Sequence, residues 1–216
     1  MKSLYTAWLL AVMTLVSFGS SVTKAIAQTT YPFQATYNTE ITTIPTSVPN
    51  ILDTTIVGGS PDAPYGLTNI GIRIYAKLDP DTGVITDSPD PAVFGLEGLP
   101  LDTTFRLFGN GSDELFGINS DITTLNFKDL VGTGFGTLTI TGGKGRFIGA
   151  SGTLDLLENA ILSPDPTAPI ISDLTISGSF VVPKTVPEPK TDAMLVGISV
   201  IGTGLVLRRH RRASSV

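Results

Sequence analysis

Between residues 28 and 185 apolar side chains recur at every second position in short runs, and clusters of Gly, Pro, Asn and Asp separate the runs. A period of two puts successive side chains on opposite faces, so the pattern predicts strands, and the punctuation is too frequent for a long helix. Ile70, Ile72 and Ile74 define one face of a strand ending near Leu78. Leu138 and Ile140 alternate with Thr137, Thr139 and Thr141, and Leu154 and Leu156 alternate with Thr153 and Asp155. Leu174 and Ile176 share a face of the last strand. Asn110-Gly111, between Phe105-Arg106-Leu107-Phe108 and Leu115-Phe116, predicts a hairpin closed by a type I′ turn. Asp79-Pro80-Asp81-Thr82-Gly83 predicts a second turn. The expectation is an all-β body.

Both ends depart from this pattern. Met1-Lys2, the apolar stretch Leu4 to Phe18 and the small residues Ala25-Ile26-Ala27 have the order of a secretory signal peptide over residues 1–27, cut by signal peptidase beside Ala25 and Ala27. At the other end, residues 186–216 hold Val186-Pro187-Glu188-Pro189, an apolar run from Ala193 to Leu207, and Arg208, Arg209, His210, Arg211 and Arg212. Proline stiffens the motif and keeps it out of a helix. As a helix the apolar run would reach about 22 Å, which crosses a hydrocarbon core of roughly 30 Å if the flanking arginines snorkel. The basic tail at 208–212 favours the cytoplasmic side.

This succession of motif, transmembrane segment 193–207 and basic tail resembles a PEP-CTERM sorting signal, with Pro187, Glu188 and Pro189 as the motif residues. The resemblance implies a Gram-negative host, processing by an exosortase, transient membrane anchoring through the C-terminal segment, and a final place at the cell surface or outside the cell. It speaks of destination; the bodies of such proteins are unrelated.

With the two ends set aside, residues 28–189 carry seven Lys and Arg against 18 Asp and Glu, a net charge of −11. Such a surface repels polyanions, so nucleic acid is not an expected partner, whereas an exopolysaccharide or surface matrix is compatible with export. The absence of cysteine removes disulfides, zinc-thiolate sites and thiol nucleophiles. The single histidine, His210, lies in the basic tail, so the body has no imidazole base and no Ser-His-Asp triad.

Few groups are left to carry chemistry. Asp79, Asp81 and Asp87 could offer oxygens to calcium, but their spacing departs from the EF-hand loop, and no metal or other cofactor is expected. Asp113 with Glu114, and Asp155 with Glu158, are possible acid–base pairs, expected to be solvated surface carboxylates. Gly143-Lys144-Gly145 is followed by Arg146-Phe147 and another strand, not by the helix that a phosphate-binding loop opens, so the stretch reads as a strand, a tight Gly142-Gly143 turn, a short strand, a bend at Gly149 and a further strand. The segment Gly142-Gly143-Lys144-Gly145-Arg146-Phe147-Ile148-Gly149-Ala150-Ser151-Gly152 instead resembles one found in dirigent-like and allene-oxide-cyclase-like barrels. That resemblance implies an antiparallel barrel of about eight strands in which Phe147 plugs the interior; a two-sheet sandwich is the alternative.

The sequence therefore predicts an exported, exosortase-processed β protein with a non-catalytic structural or binding role. Two alternatives are a cyclase- or dirigent-like barrel binding a small apolar ligand, and a calcium-dependent carbohydrate-binding module.

Overall fold

The computed structural model describes residues 27–165 and 168–184. The cleavage residue Ala25, the motif residues Pro187, Glu188 and Pro189, the apolar run 193–207 and the arginines at 208, 209, 211 and 212 lie outside the described residues, whereas Ala27 opens the first strand.

Nine strands follow in chain order: β1 (Ala27–Pro45), β2 (Ile51–Gly59), β3 (Asn69–Leu78), β4 (Val84–Ser88), β5 (Phe105–Phe108), β6 (Glu114–Asn126), β7 (Val131–Lys144), β8 (Ser151–Ile161) and β9 (Ile170–Lys184). The described residues contain no α-helix, only three short 3₁₀ turns. All nine strands belong to one sheet in place of two facing sheets, and every strand pairing described is antiparallel. The sheet closes on itself in a ring, because β2 pairs with β3 as well as β1, and β1 pairs with β9. Closure removes the unpaired edges at which chains aggregate.

One position in the ring is shared. β5 pairs with the start of β3 and of β6 (Ile72↔Phe105, Phe105↔Gly117), while β4 pairs with their later residues (Lys77↔Thr86, Thr86↔Ile122). The two short strands thus stand end to end between β3 and β6.

Alternation selects the inner face. Phe33, Ala35, Tyr37, Thr39 and Ile41 of β1 are buried, as are Ile70, Ile72, Ile74 and Ala76 of β3. The pairs expected on β7, β8 and β9, Leu138 and Ile140, Leu154 and Leu156, and Leu174 and Ile176, are also buried. Phe147, in the turn between β7 and β8, enters a cluster with Tyr31, Tyr65 and Phe180, in which the rings of Tyr31 and Phe180 stack at 5.2 Å. Gly145 and Gly149, at φ 61° and 77°, take the left-handed conformations that turn the chain around it. Tyr37, fully buried, donates its hydroxyl to the Leu67 carbonyl at 2.6 Å, and burial raises its pKa above the usual phenolic range.

Two local expectations are corrected. The β5–β6 hairpin exists, but its register, Phe108↔Glu114, leaves the five residues between them as the loop, and neither Asn110 nor Gly111 has positive φ. A type I′ turn needs positive φ at both central positions, so the longer loop replaces it. No Gly-Gly turn breaks the strand at Gly142-Gly143 either: β7 runs through Lys144, and the chain turns at Gly145–Phe147. A register shift at Phe116/Gly117 of the facing strand absorbs the irregularity.

Candidate functional site

The carboxylates expected on the surface divide between two environments. Asp113 accepts from the backbone N–H of Arg146 at 2.9 Å and from its Nε at 2.6 Å, which holds its carboxyl below the usual range. Glu114 lies between Arg106 and Lys144, with N···O separations of 3.0 and 2.7 Å. Both acids are spent on exposed ion pairs beside the β5–β6 loop. Asp155 is exposed as expected, but Glu158 is not: only 5% of its surface is accessible. Parity explains the difference, because 155 and 158 fall on opposite faces of a strand and 158 shares the inner face with Leu154 and Leu156.

The calcium candidates do not gather. The Asp79 carboxylate folds back on its own turn, where Oδ1 accepts from the N–H of Asp81 at 2.9 Å and of Thr82 at 3.3 Å. The hydroxyl of Thr82 and these N–H groups hold its pKa down. Asp81 is exposed in the same turn, while Asp87 lies on β4, opposite inward-facing Ala76. Among the described residues no group of three or more acidic side chains is disposed to hold a metal ion.

Inside the ring, Asp87 meets a polar layer that interrupts the apolar core. Thr86 pairs with Ile122, so Asp87, one residue on, faces Asp121 of β6, and the charge of Asp121 acts on it. Asn119, buried on the same face of β6, donates Nδ2 to Asp121 Oδ1 at 2.8 Å, and its own Oδ1 has no partner. Glu158 Oε1 accepts from Ser172 Oγ at 2.9 Å. Thr39 Oγ1 donates to the Ser172 carbonyl at 3.1 Å and lies 2.6 Å from Ser172 Oγ. Burial first, and then the neighbouring Asp121 charge, push Asp87 up to about 9. Burial likewise raises Glu158, against the hydrogen bond from Ser172. All seven basic side chains of the described residues are exposed, so no cation faces the layer.

Glycines on β7 make room for it. Gly134 pairs with Thr123 on one side and Glu158 on the other, and Gly136 pairs with Asp121. A Cβ at Gly134 would stand 2.7 Å from Thr123 Oγ1 and 3.1 Å from Glu158 Oε2; at Gly136 it would stand 2.3 Å from Asp121 Cβ. Side chains of β6 and β8 therefore close over the bare backbone of β7. Gly134→Ala should lower stability by about 1–3 kcal/mol through overpacking, read by denaturant unfolding. An unchanged midpoint would mean that the carboxylates do not close over this strand.

The inward glycines Gly132, Gly134 and Gly136 are the sequence signal for this layer. In β6 the inward set is Leu115, Gly117, Asn119, Asp121 and Thr123, whereas the more apolar Phe116, Ile118 and Ile122 face outward, so hydropathy alone would choose the wrong face. Two surface clefts are also present, of about 340 Å³ beside Arg106, Phe108 and Lys144, and about 370 Å³ beside Glu40, Val57 and Ile171. Neither is lined by Asp87, Asp121 or Glu158.

No family model, curated protein or solved structure matches this chain. Its site has to be judged on its own groups. The interior layer can hold and share protons; its carboxyls line neither cleft, although Thr39 at its far end borders the second, and it presents no nucleophile beside an imidazole. Phe105, Leu107, Leu115, Phe147 and Phe180, each with 1% or less of its surface accessible, occupy the interior on the apolar side of the layer.

Proposed function

We propose that this chain is an exported protein, processed by an exosortase at its C-terminal signal, whose strand ring is an eight-position barrel serving as a surface or matrix component without catalytic turnover. The observation that carries the reading is the order of Pro187-Glu188-Pro189, the apolar run 193–207 and the basic residues at 208–212, together with the N-terminal export signal. β4 and β5 standing end to end count as one stave, which supports eight positions. A cut after Ala27 leaves Gln28–Pro183 intact, and those residues form one compact unit.

The packed interior favours a structural or surface-binding role over an internal apolar ligand, since such a ligand would need the space taken by Phe105, Phe147 and Phe180. The acidic body favours a hydrated matrix partner over a polyanion.

Intact mass and cell fraction in the native host, with and without Pro187-Glu188-Pro189, test the reading. The expected result is loss of both terminal segments, with recovery at the surface or in the medium, only when the motif is present. Full-length protein in the cytoplasm, or a C-terminal segment kept in the inner membrane with the motif intact, would overturn it.

A further inference from the structure

The register that pairs Thr86 with Ile122 sets the Asp87 carboxyl against that of Asp121 on the inner side of β4 and β6, and close approach of the two has a chemical requirement. Two ionised carboxylates have only acceptors, so the contact needs a proton on one of them. Asn119 of β6 completes the surroundings of the pair. Its side chain is buried and bonded to Asp121 through Nδ2, while its own Oδ1 has no partner, so the amide brings the pair a donor and no charge. The groups facing Asp87 from the packed elements are Ala76 of β3, Asn119, Asp121 and Thr123 of β6, the backbone of Gly134 and Gly136 of β7, Glu158 of β8, and beyond it Ser172 of β9 and Thr39 of β1. The titratable groups among them are Asp121 and Glu158, and both are acids.

β4 is also weakly held. It pairs with β6 over three residues and with β3 over four, against ten pairs between β7 and β8 and 11 between β8 and β9. The carboxyl pair sits at the end of its contact with β6, where β4 gives way to the connection toward β5.

We propose that Asp87 and Asp121 share one proton, and that this proton-loaded pair is a latch that seats β4 between β3 and β6 and releases it when the proton is lost in alkali. Two carboxylates facing each other without a nearby cation repel, and a half-buried strand end is the place where water can enter to separate them. The rest of the ring keeps its long ladders, so the opening is local. Elements of lowest local stability open in this way ahead of global unfolding. Burial supports the direction, raising Asp87 to about 9, so that the latch is closed at neutral pH.

Hydrogen–deuterium exchange on the full chain at pH 7 and pH 10 tests this, with each segment corrected for its intrinsic rate. The ratio of protection in residues 84–88 to protection in β2, which carries neither carboxyl, should fall at least tenfold at pH 10. Asp87→Asn should keep the ratio constant, because the amide donates to Asp121 without a titratable proton. Asp121→Asn places the donor on the facing strand and serves if the first variant does not fold. An unchanged ratio in the unsubstituted protein, or protection lost from β2 and β4 together, would overturn the latch, as would the same tenfold fall in Asp87→Asn.

Discussion

Urea unfolding should give a higher midpoint at pH 5 than at pH 8, with the unfolding free energy lower by about 2–4 kcal/mol at the higher pH. The unfolded Asp87 carboxyl titrates near 3.8 and the folded one near 9. Between those values the folded chain keeps a proton that the unfolded chain has released, so raising the pH draws the protein toward the unfolded state. Stability from this group is fully present below the unfolded value and falls away as the pH rises toward 9. One retained proton sets an upper slope of about 1.4 kcal/mol per pH unit, and the range given is below that limit because solvent reaching a half-buried carboxyl screens it. Glu158 adds in the same direction. Asp79 and Asp113, with lowered pKa values, act oppositely, in the more acid range below 3.8. Asp87→Asn should remove most of the slope, separating this pair from the general self-repulsion of an acidic body. A midpoint that is level or rises from pH 5 to pH 8 would show that the carboxyl pair is ionised in the folded state.

Phe147→Ala should cost about 3–5 kcal/mol and lower the melting temperature by roughly 10 °C. The ring is wholly buried against Tyr31, Tyr65 and Phe180, three rings drawn from β1, the β2–β3 connection and β9. Truncation leaves a void that a closed sheet cannot collapse to fill, because each wall is held by strand pairing on both sides. Arg146 also lies over the Phe147 ring at 5.2 Å and donates to the Tyr65 carbonyl at 2.8 Å, so the loss reaches the connection between β2 and β3. The control is Phe135→Ala on the outer face of β7, where the ring is 63% exposed; its effect should stay within about 0.5 kcal/mol. Equal effects from the two substitutions would contradict the inward placement of Phe147.

Much of the inner face was legible because alternation is a local property. Where Ile and Leu alternate with other residue types, with Gly, Arg and Tyr in β3 and with Thr in the second half of β7, burial follows directly from a period of two. Reading failed where the inner residue was small or polar. Asp121 and Glu158 look like surface acids in a linear sequence, and only the register that places Gly134 and Gly136 between them shows that they meet inside. The alternating glycines were the available clue, since glycine repeated on one face of a strand marks a place where neighbours approach the backbone. Asn110-Gly111 failed for a different reason: a turn preference is weak beside the register set by Phe105, Leu107 and Leu115, whose burial decides how the two strands meet.

The amino-acid sequence by itself determined that the body is built from strands, which alternating faces are apolar, and that no thiol or imidazole is available to the body, and it supplied the end motifs on which the proposed export and sorting rest. Each of these is carried by neighbours within a few residues. The tertiary structure decided that the strands close in one ring, that β4 and β5 share a position, and that Asp87, Asp121 and Glu158 lie in one interior layer. Those outcomes depend on pairings between residues tens of positions apart, where the burial of many side chains at once selects the register and can carry a few carboxyls inward against their own preference for water.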